Sequence, residues 1–482
     1  MNEGEILARF WNADEETRDS MILDPITSDG LTKLFGTDSF VELRNIAERR
    51  IKKRKTVHLA SENNPKFIFI PGVMGSLLQG KIDGGVWWID AMRGLDKIDQ
   101  LGLAANGGDP KDEKKHVVPF GIDFCYEGFL LAAFEQGLTA EKHPYDWRKS
   151  LLRSTSGLAN HIEQVWKQNG HKKHSVNLVA HSMGGLLIRA TLMEHKKQLI
   201  DKIGRIVFLA TPHYGSPSIA YFLRDHLRGD LTMWLLGKYL SRETFRSLWG
   251  PIGLLPAPMG VYPGTRNGEE RHPCAGFNLY SADSWQLDLP KQDEEKFQNI
   301  LNHSAEFYQR LFLFHDEISR DLHERMAMII GVGHEMPFHI DITSRILRKP
   351  RTDVIMNRDI KDIHREGDGS VPVASAELEG IGETKYVKAK HAAIPNVPSV
   401  YLDVFRFLRG ESMELPDSLS GALATHLSTE DTMSCTPHLD GSGSSDRNRG
   451  WNTPRPTEEE WKQLEKDLQT GRLPEFAHVR IL

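Results

Sequence analysis

Residues 177–190, NLVAHSMGGLLIRA, set one serine between an apolar run rich in β-forming residues and a helix-like segment. A sharp strand-to-helix turn lifts its central side chain above a sheet and aims the following helix N-terminus at whatever binds there. The turn reads Ala180-His181-Ser182-Met183-Gly184, with alanine at the first glycine of the G-x-S-x-G pattern. Alanine keeps that position small, as the tight backbone requires. Taken alone, the motif also fits a turn with a capping serine.

A serine hydroxyl is a poor nucleophile until a base takes its proton and an acid orients that base. After an elbow of this kind, the acid and then the base follow in loops beyond late strands. REGDGSVPVASA places Asp368 between two glycines at a turn, with Asp362 and Glu366 as alternative carboxylates. KYVKAKHAAIPN places His391 at the end of a β-rich run. Of the 21 histidines, His391 alone follows the final expected strand and precedes the final expected helix. His181 and His213 come before the acid and are read as supporting residues. An oxyanion hole needs one N–H after the nucleophile and one from the loop after an early strand. Met183 supplies the first, and Val73 in IPGVMGS the second, with Met74 as the alternative.

These residues need a scaffold that ends several strands at one edge. The first strong strand is expected at KFIFIPGVMG, breaking at Pro71-Gly72. From there to Thr211 apolar runs alternate with amphipathic segments, the pattern of a parallel α/β sheet. SVNLVAH, the turn at Ser182, the helix LLIRATLMEHKKQ and the strand RIVFLATP form a βαβ crossover. The sheet resumes at MAMIIGVG and KYVKAKHAAI. The expected fold class is therefore α/β: a mostly parallel sheet flanked by helices, with a cap or lid insertion. Four regions follow: a helical extension over 1–64, the α/β domain over 65–411 with a cap at about 213–325, a flexible linker rich in Ser, Gly, Thr and Asp over 412–456, and a helical tail over 457–482.

The 482 residues are 39% hydrophobic and 26% charged, a balance that excludes disorder throughout and supports a substantial core. A net charge of −6 with mixed signs gives no general nucleic-acid surface. The one dense basic run, ERRIKKRK at 48–55, reads as a solvated helix face, with contact to an anionic membrane as the alternative. Cys125, Cys274 and Cys435 are widely spaced and odd in number, so no disulfide framework or CxxC metal site is expected. With no signal-peptide pattern and no membrane-length apolar run, a cytoplasmic location is expected, signal-independent export being the alternative.

FIPGVMGSLL, WWID, PYDWR, AHSMGG, ATPHYGSP, GDGSVP and HAAIPN resemble the signature blocks of the lecithin:cholesterol acyltransferase-like α/β-hydrolases, a group of phospholipases and lipid acyltransferases. The resemblance runs from about Pro65 to Gly410. It implies an α/β-hydrolase fold, Ser182, Asp368 and His391 as the triad, and Val73 and Met183 as oxyanion donors. Secreted members rely on a disulfide near the lid, which no cysteine pair here supplies. PYDWR is read as structural, an Asp146–Arg148 pair beside a packed Trp147.

The expected activity is that of a serine hydrolase or acyltransferase on an acyl ester of a phospholipid or other lipid, with no cofactor or metal. A carboxylesterase or thioesterase on soluble substrates is the alternative, and a non-catalytic binding protein on a hydrolase scaffold the third reading. Trp87 and Trp88 in GGVWWID are expected to bind substrate at an apolar rim. Trp234, Leu235, Leu236, Trp249 and Leu254 form a second such cluster; any one of these residues also fits the core, and the two clusters together are expected to supply at least one exposed apolar rim that touches a lipid surface.

Overall fold

The computed structural model of the chain describes residues 3–35, 37–56, 65–82, 86–88, 95–225, 240–265, 272–287, 289–345, 348–356 and 366–424. At its centre lies a six-stranded parallel sheet. The strands are β1 (Lys66–Ile70), β5 (Thr139–Lys142), β6 (Val176–His181), β7 (Ile203–Leu209), β8 (Met326–Val332) and β11 (Glu383–Lys388). Their order is β11-β8-β7-β6-β1-β5, so the chain starts near one edge and finishes at the other. Parallel strands buried on both faces read as unbroken apolar runs. In β1, Phe67 and Phe69 belong to one core, while Ile68 and Ile70 belong to the other.

Helices α6 (Thr155–Gln168) and α7 (Met183–Leu199) cover one face together with the long helix Lys291–Asp316. That long helix buries Phe297, Ile300, Leu301, Ser304, Phe307, Tyr308, Leu311 and Phe314, spaced three and four apart as one helical stripe requires. Helix α5 (Glu127–Glu135) and the helix Pro398–Arg409 cover the other face. The expected crossover around Ser182 is present as β6, α7 and β7.

Two features were not anticipated. Strands β2 (Ser76–Gly80), β3 (Val86–Trp88) and β4 (Val117–Ile122) form a separate antiparallel sheet in the order β3-β2-β4. A second antiparallel pair, β9 (Pro337–Arg345) and β10 (Arg348–Met356), stands between β8 and Asp368.

The N-terminal helices α1 (Glu3–Asn12), α2 (Glu15–Leu23), α3 (Pro25–Phe35) and α4 (Thr37–Thr56) are packed onto the small sheet. Ile6, Phe10, Trp11, Leu31 and Leu43 share one core with Leu77 and Val86. Each such buried side chain contributes about 1.5–3 kcal/mol, so the extension is part of the folded body. The basic run 48–55 presents Glu48, Arg49, Lys52 and Lys55 to solvent, as expected, while its other side turns inward. It lies on α4, and there Arg50 is buried against Glu127 and Asp19, while Arg54 Nη1 reaches Asp19 Oδ2 at 2.8 Å. Lys142 Nζ joins at 3.1 Å from Glu127 Oε1. Burial alone would push the Glu127 carboxyl up, but Lys142 and Arg50 outweigh it and hold it at about 2. The expected tail, Cys435 and the expected linker beyond residue 424 lie outside the described residues, while the first part of that linker is built into the fold, with Met413 and Leu415 buried in the second core and a short helix over Leu419–Ala424.

Candidate active site

Ser182 stands between β6 and α7 with φ 52° and ψ −128°, a region that L-residues rarely enter. Three close approaches hold it there. Its N–H donates to the Leu209 carbonyl at 2.8 Å, which fixes the end of β6 to β7. Gly184 packs so tightly that an added Cβ would lie 2.6 Å from the carbonyl oxygens of both Ile70 and Pro71. A methyl at Gly185 would meet Thr211 Oγ1 at 2.1 Å.

The three residues expected to act together are brought together. His391 Nε2 lies 2.9 Å from Ser182 Oγ, and His391 Nδ1 lies 2.7 Å from Asp368 Oδ2. Asp368 Oδ1 accepts the backbone N–H groups of Ser370 at 3.0 Å and Val371 at 2.7 Å. All three side chains are buried, at 1–2% exposure, so the hydrogen bonds between them are little weakened by water. Since the carboxylate only accepts, Nδ1 carries the imidazole proton and leaves Nε2 able to accept one from Ser182. Of the alternative acids, Glu366 is not the carboxylate that meets His391 Nδ1, which is Asp368, and Asp362 lies outside the described residues.

Met183 is the first residue of α7, so its N–H has no acceptor within the helix. Val73 follows Gly72 in a turn closed by Gly75 N–H to the Gly72 carbonyl at 3.1 Å. Met74 takes the left-handed position of that turn, φ 60°. The turn's closing bond leaves the Val73 N–H unused.

PYDWR is structural and braces this turn. Arg148 pairs with Asp146 through two bonds, 2.8 Å from Nε to Oδ1 and 2.7 Å from Nη2 to Oδ2. Burial alone would lower the Arg148 pKa, but Asp146 and Asp109 raise it. The Tyr145 hydroxyl donates to the Pro71 carbonyl at 3.1 Å and Trp147 Nε1–H to the Ser76 carbonyl at 3.2 Å.

His181 and His213 differ in how they support the site. His181 bonds through both ring nitrogens, to the Tyr126 hydroxyl at 2.9 Å and to the His391 carbonyl at 3.1 Å. His213 is buried against Phe208, and burial, then Arg189, push its pKa well below the usual range. No local sequence signal marks Tyr126, because its partners Gly72 and His181 are 54 and 55 residues away.

The expected apolar rim is corrected. Trp87 is 2% exposed and belongs to the main core, with the Lys97 ammonium 5.0 Å from its ring centre. Pairing of β3 with β2 turns it inward, so it does not line an exposed entrance. Leu254 is likewise fully buried, and Trp249 is half-buried against the same core. The side chain of Trp88, and Trp234, Leu235 and Leu236, lie outside the described residues. Among the described residues no group of three or more His, Cys, Asp and Glu is placed to hold a metal, and no helix is long and apolar enough to cross a membrane. Cys125 and Cys274 are buried.

Parts of the chain are similar to known proteins. An uncharacterised protein of Saccharomyces cerevisiae is 28% identical over 177 residues, 35% of this chain and 25% of its own. Lecithin-cholesterol acyltransferase-like 4 of Arabidopsis thaliana is 34% identical over 86 residues, 17% of this chain and 16% of its own. The matched stretches thus span a quarter or less of these relatives' length. The crystal structure of the Tle4-Tli4 complex aligns with 73% of this chain and 98% of its own at a TM-score of 0.48 and 13% identity. Residues 132–406 match the lecithin:cholesterol acyltransferase family profile, a span that takes in Ser182, Asp368 and His391. The chain belongs to the lecithin:cholesterol acyltransferase family.

Proposed function

We propose that the protein is a serine-dependent acyl-ester hydrolase or acyltransferase acting on lipid, and on phospholipid in particular. The observation that carries this reading is the continuous path from Ser182 Oγ through His391 to Asp368, at 2.9 and 2.7 Å. Ser182 Oγ attacks the acyl carbonyl as its proton passes to His391 Nε2. Asp368 holds the resulting imidazolium. The oxyanion is stabilised by the N–H groups of Val73 and Met183. Collapse breaks the ester bond, His391 returns the proton to the departing alcohol, and the acyl group stays on Ser182. Water or an alcohol, deprotonated by His391, then takes the acyl group and frees the serine.

The lipid assignment draws on the family, whose name joins a phospholipid donor to a sterol acceptor. Peripheral contact with a lipid surface and a cytoplasmic setting belong to the same proposal, the latter supported by a sequence with only three widely spaced cysteines and so no disulfide framework. One observation favours a second reading, an esterase for soluble substrates: Trp87 and Leu254 are core residues and supply no apolar rim. The test is mass spectrometry of a mixed lipid extract incubated with wild type and with Ser182→Ala. Lysophospholipid or a new acyl ester, with wild type only, is the expected result. An unchanged extract alongside rapid hydrolysis of a soluble butyrate ester would favour the second reading.

A further inference from the structure

We infer that residues 123–129 form a strut through which the N-terminal helices hold His391 and the 72–75 turn in line with Ser182, with Tyr126 and His181 as positioning residues. This rests on the acyl-transfer reading of Ser182 and His391. Toward the site, the segment makes bonds to three loops. The Gly72 N–H donates to the Tyr126 oxygen at 3.0 Å, and the Asp123 N–H donates to the Gly75 carbonyl at 2.8 Å. An amide can only donate, so the Tyr126 proton is free to go to His181 Nδ1, 2.9 Å away. His181 must then carry its proton on Nε2, and it donates that proton to the His391 carbonyl at 3.1 Å. The peptide of His391 is held from its other side as well, because its N–H donates to the Asp368 carbonyl at 2.9 Å. Asn396, at the end of the short helix His391–Asn396, closes the frame: its amide donates to the Cys125 carbonyl at 2.6 Å and accepts from the Phe129 N–H at 3.1 Å.

Away from the site, the same few residues are gripped by the extension. The Phe124 ring meets Phe10 and Trp11 at 6.2 and 5.4 Å between centres. Glu127, next to Tyr126 in the chain, is paired in the interior with Arg50. The extension and the histidine loop therefore share one short piece of backbone. A displacement of about 1 Å in such a frame is enough to cost about a hundredfold in rate.

The test uses the full chain and a soluble p-nitrophenyl ester, with thermal melting to confirm folding. Tyr126→Phe is expected to lower kcat by about 10-fold to 100-fold with KM unchanged. Arg50→Gln is expected to lower kcat in the native background and to add little once Tyr126 is Phe, the signature of a shared path. Arg49→Ala, on the same helix as Arg50, removes only a surface pair with Glu135 and should leave kcat as it was. If Arg50→Gln does not fold, Phe10→Leu reads the same grip. Effects of Arg50→Gln and Tyr126→Phe that multiply, or an Arg50→Gln that changes only the melting temperature, would overturn the strut. Nitrogen-15 spectra of the histidines give a readout without turnover: His181 as a fixed Nε2–H tautomer, lost in Tyr126→Phe, and a His391 signal that moves in Arg50→Gln. An unmoved His391 signal overturns the strut. Absence of any ester turnover by wild type, with these shifts present, overturns the acyl-transfer reading alone.

Discussion

Asp368 meets His391 with one carboxylate oxygen and spends the other on the N–H groups of Ser370 and Val371. Three donors, the imidazole N–H and two backbone amides, are thereby matched to acceptors. An asparagine has only one acceptor oxygen, so its NH₂ must face either the imidazole or the two amides. Asp368→Asn is expected to keep the fold and lower kcat by about 10⁴ through the wrong imidazole tautomer. Steady-state hydrolysis checks this, with Glu366→Gln expected to behave as wild type. Full activity in Asp368→Asn would remove the aspartate from the mechanism.

Ser182 carries backbone strain as well as a hydroxyl. Ser182→Ala and Ser182→Gly should both be inert to a fluorophosphonate probe, since each lacks Oγ. Glycine alone relieves φ 52°, which costs an L-residue about 1–3 kcal/mol. Set against the greater chain entropy of glycine, about 0.5–1 kcal/mol, Ser182→Gly should be the more stable of the two by about 1 kcal/mol. Urea denaturation of the pair gives the answer; equal midpoints would show no strain at the elbow.

Gly184→Ala tests the contact between elbow and 72–75 turn. Its methyl would press on the carbonyls of Ile70 and Pro71 and displace the backbone that carries Val73. Overpacking of this kind costs about 1–3 kcal/mol, and the shifted turn should reduce kcat by about 100-fold or more. A variant that loses stability without losing kcat would separate that turn from oxyanion binding.

Acid should weaken the fold through histidines buried as neutral rings. Burial, with His161 beside it, lowers the His143 pKa to about 3, and the two Nδ1 atoms stand 3.1 Å apart. The unfolded chain takes up a proton near pH 6.5, while folded His143 does not. Its contribution is therefore complete above pH 6.5 and falls by about 1.4 kcal/mol per pH unit as the pH drops toward 3. Denaturant titrations at pH 7.5 and 5.5 should show this loss, and His143→Gln should reduce the proton uptake on unfolding by about one. An unchanged uptake in that variant would mean the ring is protonated in the folded state.

Ser182, Asp368 and His391 were legible because each sits in a short segment with its own physical signature: a small-residue elbow, a glycine-flanked turn, the end of a strand. The parallel strands were legible for the same reason, being buried on both faces. Facing is another matter. The pair Trp87-Trp88 lies near the turn in the chain, but only the pairing of Leu78 with Trp88 and of Gln79 with Val86 decides that Trp87 points into the core. Short antiparallel strands such as β3, three residues long, leave too little periodicity to read. The links among Tyr126, His181 and His391 join residues up to 210 positions apart, and nothing local announces them.

The glycines after the nucleophile also bear on how such chains are recognised. Position 180 carries a methyl group inside the core with no measurable exposure, whereas positions 184 and 185 have no room for one. The steric demand of the elbow is thus lopsided: strict on the helix side of the serine and lenient on the strand side. A chain can lose the leading glycine of the familiar pentapeptide and keep its geometry, so Ser-x-Gly-Gly is the part of the signature that the packing enforces here.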